Sequence, residues 1–343
     1  MKNKRNYLID ILRGIASIMV ALFHFNEVRD DRSYYEIFIK YGALGVPMFF
    51  VISGYCIFNA ANSTKNIGDF YLKRIFRIYP VYWFSLLLVL FVALFQKVVS
   101  GNNSVGVLPK SFGTIINSVL ILYEPLTTVK PINWVYWTLT YELFYYLSFS
   151  IYFLLNGLKK YLWVVFLLVL SLFYLPLENI GILFFLKFIG SFGLGIGVRM
   201  LEKNKKDWLA LIIVFLSVAS LIINCTNLFK SISNNEWLFP TLSIVTGLVI
   251  LEFSKYVNGP SILTKLGEVS YSLYLIHVPL GVYVINRYFI HFAENNIYTR
   301  FLFDIFNLFV CLFVSYTVYQ FIEIRFITLG KRVLKNIGFA KIN

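Results

Sequence analysis

Four places in the sequence carry residue types that can move a proton or grip a phosphate. The first is a pair in one apolar stretch, Arg13 and His24, eleven residues apart. On an α-helix that spacing is three turns plus about 20°, so both share a face with a rise of about 16 Å between them. A histidine titrates near neutrality and suits a proton acceptor, although a hydrogen-bonded packing histidine would look the same in sequence. Asp10, three residues before Arg13, can pair with it, which would explain both charges structurally. The second place is Glu142, in Trp137-Thr138-Leu139-Thr140-Tyr141-Glu142, and the third is His277, in Ser270-Tyr271-Ser272-Leu273-Tyr274-Leu275-Ile276-His277. Both fall near mid-depth of apolar runs. A buried histidine and a buried glutamate on different helices suit a general base and its orienting group. The fourth is Arg74-Ile75-Phe76-Arg77, just before Ile78-Tyr79-Pro80. Two arginines three apart share a helix face and can fork onto phosphates; anchoring beside a membrane is the alternative.

Such groups need a frame that excludes water, and the composition names it. Of 343 residues, 59% are hydrophobic and only 14% charged, with a mean hydropathy of +0.72. Soluble domains carry roughly 25% charged residues, so this chain requires lipid as its solvent. A spanning helix takes about 20 mainly apolar residues. That length predicts an all-α, polytopic membrane protein with about ten transmembrane helices, near residues 8–26, 37–58, 79–98, 133–156, 161–177, 181–201, 208–225, 237–254, 268–290 and 300–324. Pro176 closes the fifth. The stretch 111–123 is too short and polar to span and reads as an outer re-entrant or interfacial piece. Residues 1–330 form one transmembrane domain in this reading, and 331–343 a basic cytoplasmic tail.

The net charge of +14 sits in short loops between apolar spans, so no nucleic-acid partner is expected. With the N-terminus in the cytoplasm, alternate loops place 20 Lys and Arg inside, against 8 outside. Both termini are then cytoplasmic. Arg13 interrupts the first apolar run and no small-residue cleavage site follows, which favours a retained helix over a signal peptide. Lys40, Glu252, Arg287 and Asp304 lie near span ends and can snorkel to the interface. Cys56, Cys225 and Cys311 have neither disulfide nor metal-ligand spacing. The run Gly193-Leu194-Gly195-Ile196-Gly197 hints at a dinucleotide fingerprint, but it follows no strand and reads as close helix packing, as do Gly42, Gly45 and Gly54.

Taken in order, these fragments resemble the membrane acyltransferase family 3, a group of bacterial ten-span acyltransferases. Arg13-Gly14-Ile15-Ala16 with His24 is similar to its first-helix signature, and Phe49-Phe50-Val51-Ile52-Ser53-Gly54-Tyr55 to its second. Arg74 to Pro80, Trp137 to Glu142, and Ser270 to His277 resemble the third, fourth and ninth-span signatures, and Phe321-Ile322-Glu323 the closing one. Tyr55 and Arg325 depart from the family pattern.

The resemblance implies an acyl-CoA donor, most simply acetyl-CoA, taken as a co-substrate from the cytoplasm, with no tightly bound cofactor and no metal. The acceptor would be a hydroxyl of a cell-surface polysaccharide or its lipid-linked precursor, met on the outer side of a bacterial plasma membrane. It makes His24 the general base, Arg13 and Glu142 essential site residues, Arg74 and Arg77 donor-phosphate ligands, and Tyr271, His277, Trp137 and Ser53 the substrate lining. A secondary transporter or flippase of a lipid-linked sugar is the alternative. It would use His24 and Glu142 for proton coupling and would not need the inner arginine pair, and no inverted repeat supports it. The predicted orientation is tested in a cysteine-free parent. Cysteines placed at Asn62 and Asn204 should be shielded from an impermeant thiol reagent in intact cells, and cysteines at Asp31 and Asn295 labelled; the reverse pattern inverts the orientation.

Overall fold

The computed structural model describes residues 5–26, 35, 39–64, 66–101, 109, 111–174, 181–225, 237–293 and 296–340. Lys2, Lys4, Arg29, Arg32, Lys65, Lys110, Lys230 and Lys341 of the charge count, Asp31 and Asn295 of the labelling test, and Pro176 lie outside these residues. The described residues are mostly helical, with turns and short loops between the helices, and no strand occurs among them. Twelve principal helices follow one another: α1 Tyr7–Asn26, α2 Gly45–Asn62, α3 Ile67–Ser100, α4 Phe112–Leu120, α5 Trp137–Leu154, α6 Lys159–Ser171, α7 Ile189–Lys203, α8 Trp208–Cys225, α9 Leu238–Phe253, α10 Ile262–Ile276, α11 Ile297–Val318 and α12 Ile324–Ala340.

Seven stretches are long and apolar enough to cross a membrane: Tyr7–Asn26, Tyr41–Asn62, Ile67–Val99, Gly181–Lys203, Trp208–Cys225, Ile262–Phe292 and Ile297–Asn336. The other three expected spans also contain helices, of a different kind. α5 begins only at Trp137, after a 3₁₀ turn, and carries two threonines, two serines and Glu142 in its 18 residues. α6 has 13 residues and α9 has 16, or about 20–24 Å of helix against a hydrocarbon core of about 30 Å. The stretch 111–123 forms α4, nine residues long and too short to span. Its last carbonyls are taken by side chains of α3: Tyr82 bonds to Ser118, Trp83 Nε1 to Val119 at 3.1 Å and Tyr79 to Leu120 at 3.4 Å. The expected C-terminal tail is helix to Ala340.

The chain divides into two compact units. The first comprises Met1–Val20, Lys40–Thr64 and Phe144–Glu268. Its centre is the pairing of α2 with α7, where two glycines let backbones touch. A methyl group on Gly195 would collide with the Val51 carbonyl and the Tyr55 amide, and one on Gly54 with the Phe192 carbonyl. That contact explains the glycine-rich run as helix packing. The second unit comprises Ala21–Ile39, Lys65–Leu143 and Val269–Asn343. It contains a broken span. Pro279 lacks the amide that would bond to the Leu275 carbonyl, and α10 gives way at His277 to a π-helical stretch, His277–Asn286. Backbone polar groups inside a membrane must find partners within the protein, and side chains supply them here. Ser85 Oγ bonds to Leu275 O at 2.7 Å, Gln96 Nε2 to Tyr283 O at 2.8 Å and Asn307 Nδ2 to Gly281 O at 3.2 Å.

Gly195→Ala should push α2 from α7 and destabilise the first unit by about 1–3 kcal/mol, the usual range for overpacking. Thermal unfolding of the purified protein in detergent checks this, with Gly259→Ala, where nothing lies within 4 Å, as the neutral control.

Candidate active site

The centre of the candidate site is His24, in the last turn of α1. That helix end is pinned by polar side chains. Asn286 Nδ2 bonds to the Phe25 carbonyl at 2.6 Å, and Asn307 Nδ2 holds the Asn286 amide oxygen at 2.9 Å. Asn26 Nδ2 bonds to Asp304 Oδ2 at 2.8 Å, an atom that also accepts from the Tyr35 hydroxyl at 2.7 Å. Asp304 is fully buried, which corrects the expectation that it snorkels: Asn26 and Tyr35 replace the water a carboxylate would otherwise require. Lys40, Glu252 and Arg287 are exposed.

Two aromatic rings fix the His24 imidazole. Trp134 Nε1–H donates to His24 Nδ1 at 3.3 Å, so Nδ1 carries a lone pair and the proton of the neutral ring sits on Nε2. Trp134 stands in the 3₁₀ turn Trp134–Tyr136, capped by Asn133, and meets Tyr283 edge to face at 5.3 Å. The second ring is His277, 5.3 Å from His24 between centroids with the planes 26° apart. His277 is fully buried and midway along the span Ile262–Phe292. Its Nδ1 lies 3.1 Å from the Leu273 carbonyl, which can only accept, so Nδ1 bears the hydrogen and Nε2 the lone pair.

Glu142 joins this centre through its own helix. Tyr274, with its ring 5.9 Å from His277, shares a 2.7 Å hydrogen bond with Thr138 and donates to the Val135 carbonyl at 3.0 Å. Thr138 and Glu142 are one turn apart on α5, on the same face. Because α5 starts at Trp137, Glu142 lies about 8 Å into its helix. Trp137, expected as lining, packs edge-on against Tyr141 at 5.6 Å. The tryptophan that reaches His24 is Trp134, three residues earlier. Its only sequence signal is the Asn133 cap that starts the turn.

Arg74 and Arg77 form a second group on α3, both half-buried, with Arg74 over the Phe70 ring at 5.5 Å. Tyr271 ties this group to α10: its hydroxyl donates to the Ile78 carbonyl at 2.9 Å, one residue past Arg77. Six residues separate Tyr271 from His277, about 9 Å along the helix. The tyrosine expected to line the site thus sets the distance between the arginine helix and the histidine centre.

Arg13 and Ser53 belong to the first unit. Arg13 donates to Cys56 Sγ at 3.0 Å and lies 3.6 Å from Asp10. Asp10 also receives Arg5 at 2.7 Å, and Arg5 reaches Glu268 at 2.6 Å. This chain of ion pairs supplies the structural partner that the Asp10–Arg13 spacing suggests. Ser53 is half-buried on α2 beside Gly54. Among the described residues no group of three or more His, Cys, Asp or Glu could hold a metal ion.

Comparison with known proteins bears on what this geometry is for. The model of the acyltransferase 3 family, described as an acyltransferase domain, matches residues 6–320. A putative acetyltransferase, ORF330, of Acidianus two-tailed virus is 28% identical over 287 residues, covering 78% of this chain and 81% of that protein. The O-acetyltransferase OatA of Staphylococcus aureus is 26% identical over 326 residues, and nodulation protein 10 of Rhizobium leguminosarum bv. viciae is 28% identical over 156. This chain spans about half of OatA's length (51%) and 42% of the nodulation protein's. No solved structure matches the chain. With seven apolar helices able to cross a membrane and a family match over nearly its whole length, the chain belongs to the acyltransferase 3 family and is a membrane acyltransferase.

Proposed function

We infer that this protein is an O-acetyltransferase that moves the acetyl group of cytoplasmic acetyl-CoA onto a hydroxyl of a cell-surface polysaccharide or its lipid-linked precursor. The observation that carries the reading is the imidazole of His24, held in one tautomer by Trp134 and stacked on His277 in a membrane-embedded centre. The names of ORF330 and OatA support acetyl as the group and oxygen as the acceptor. Arg74 and Arg77 would fork onto the donor's phosphates at the cytoplasmic end of α3, and the pantetheine arm would carry the thioester towards the histidines. In this scheme the Trp134 N–H gives up the Nδ1 lone pair of His24 to the acceptor hydroxyl; His24 takes the hydroxyl proton as the oxygen attacks the thioester carbonyl, and the proton goes to sulfur when the C–S bond breaks. Glu142 orients the centre from α5, and Arg13 braces the first half of the helix that carries His24. The cell membrane is the proposed location, with both termini cytoplasmic.

His24→Ala should leave the protein inserted and abundant but lower acyl transfer by about 10²–10⁴-fold, the range for losing a general base. Radiolabelled acetyl-CoA given to membrane vesicles, followed by counting of ester label on glycan, measures it; wild-type label would remove His24 from the chemistry. Glu142→Gln should fall similarly if the carboxylate's charge matters, whereas activity retained in Gln and lost in Ala would leave it a packing or hydrogen-bonding role.

The arginine pair separates donor binding from membrane anchoring. Lysine keeps the positive charge but loses the fork. Losing one charge-assisted hydrogen bond costs roughly 1.5–3 kcal/mol, which is about ten- to more than hundredfold in affinity. Arg74→Lys and Arg77→Lys should insert normally and bind acetyl-CoA that much more weakly, with partial rescue at high donor concentration. Unchanged affinity in both would return the pair to anchoring.

A further inference from the structure

His277 carries more than lining. Its Nδ1–H is spent on the Leu273 carbonyl, which turns Nε2 into a pure acceptor. That nitrogen is fully buried and meets no hydrogen-bond partner among the described residues. Neighbouring polar groups in this unit are otherwise engaged: Ser85, Gln96 and Asn307 each cap a broken-span carbonyl, and Tyr274 is held by Thr138 and Val135. An unsatisfied buried acceptor is unfavourable, and binding of an O–H or N–H donor would remove that cost. The lone pair stands beside His24, whose own Nδ1 lone pair is covered by the Trp134 indole. It also opens the π-helical stretch of the span, a distortion frequent at functional sites.

We propose that His277 is a second catalytic residue: the acceptor hydroxyl docks on His277 Nε2, and its proton is taken up by the His24–His277 pair rather than by His24 alone. This rests on the acyl-transfer reading and changes which atom receives the proton. In the step, the acceptor O–H bond breaks and the proton goes to Nε2. The oxygen forms a bond to the thioester carbonyl carbon, the C–S bond breaks, and the thiolate leaves with the proton returned from the pair. Among the described residues, Tyr274 on the same helix lies with its ring 5.9 Å from His277, and Glu142 follows one turn after Thr138, to which Tyr274 bonds.

The geometry supplies two discriminating substitutions. In His277→Asn the side-chain amide can still donate to Leu273, as Nδ1 does, but nothing replaces Nε2. In His277→Gln an amide oxygen can stand near Nε2 and accept a hydrogen bond, but it cannot take a proton. Ester label transferred from acetyl-CoA to glycan in membrane vesicles gives the rate, and equilibrium binding of acetyl-CoA to the purified protein gives donor affinity. Both variants should lose about 10²–10⁴-fold in kcat with donor affinity unchanged, and the acid limb of the kcat profile should flatten. Either variant combined with His24→Gln should be no slower than the worse single variant, because residues acting as a unit are not additive. Full activity in His277→Gln would overturn proton uptake and leave Nε2 a docking acceptor. Losses that multiply with His24→Gln would overturn the pair. If His24→Gln is inactive while both His277 variants match wild type, only this inference fails; if all three match wild type, the acyl-transfer reading of this centre fails with it. Should either His277 variant prove unstable, the other carries the test.

Discussion

The hydrogen bond from Asn286 to the Phe25 carbonyl, with Asn307 behind it, sets the position of the end of α1 that carries His24. A backbone carbonyl that lipid cannot satisfy needs a partner within the protein, and Phe25, near the described end of α1, finds one in Asn286. Asparagines answer this need without adding charge. The same residues stitch α1, α11 and the π-helical stretch together, so satisfying the backbone and orienting His24 are one structural act. Asp304 follows the same logic. Its carboxylate, buried on α11, is tolerated because Asn26 and Tyr35 bond to it.

A break in a membrane span is costly, and this protein places one where it is useful. Pro279 ends the regular ladder just after His277, and three side chains from α3 and α11 take up carbonyls of the broken stretch. The regular part of α10 brings Tyr274 to Thr138 and Tyr271 to the arginine helix. One span therefore sets the spacing among the histidine pair, the helix that bears Glu142 and the helix that bears Arg74 and Arg77. The first unit is built differently. It relies on glycines that let α2 and α7 touch backbone to backbone, where dispersion replaces the hydrophobic driving force that lipid removes.

Membership of an acyltransferase family removes the transporter alternative as a description of the family's chemistry. Arg5, Asp10, Arg13 and Glu268 form a connected set at the start of α1 and α10, and the interior of such a set contributes only when every charge is paired.

By itself the sequence determined the solvent, the helical class and the ionisable residues on which the proposed function rests. Apolar runs about 20 residues long have one stable form in lipid, and an ionisable group within such a run is rare enough to stand out; His24, Glu142 and His277 were legible for that reason. Ordered motifs made the family legible too. What tertiary structure decided is how these residues meet. No spacing rule relates His24 to His277 across 253 positions, yet their rings lie 5.3 Å apart. Trp134, rather than Trp137, reaches His24, because a 3₁₀ turn precedes α5 and shifts the helix start that the apolar pattern placed at 133. Asp304 looked like an interfacial charge because its partners, Asn26 and Tyr35, are more than 260 residues away in the chain. Periodicity reports which face of a helix is apolar. It carries no information about which other helix supplies the hydrogen bond, and that choice made the site.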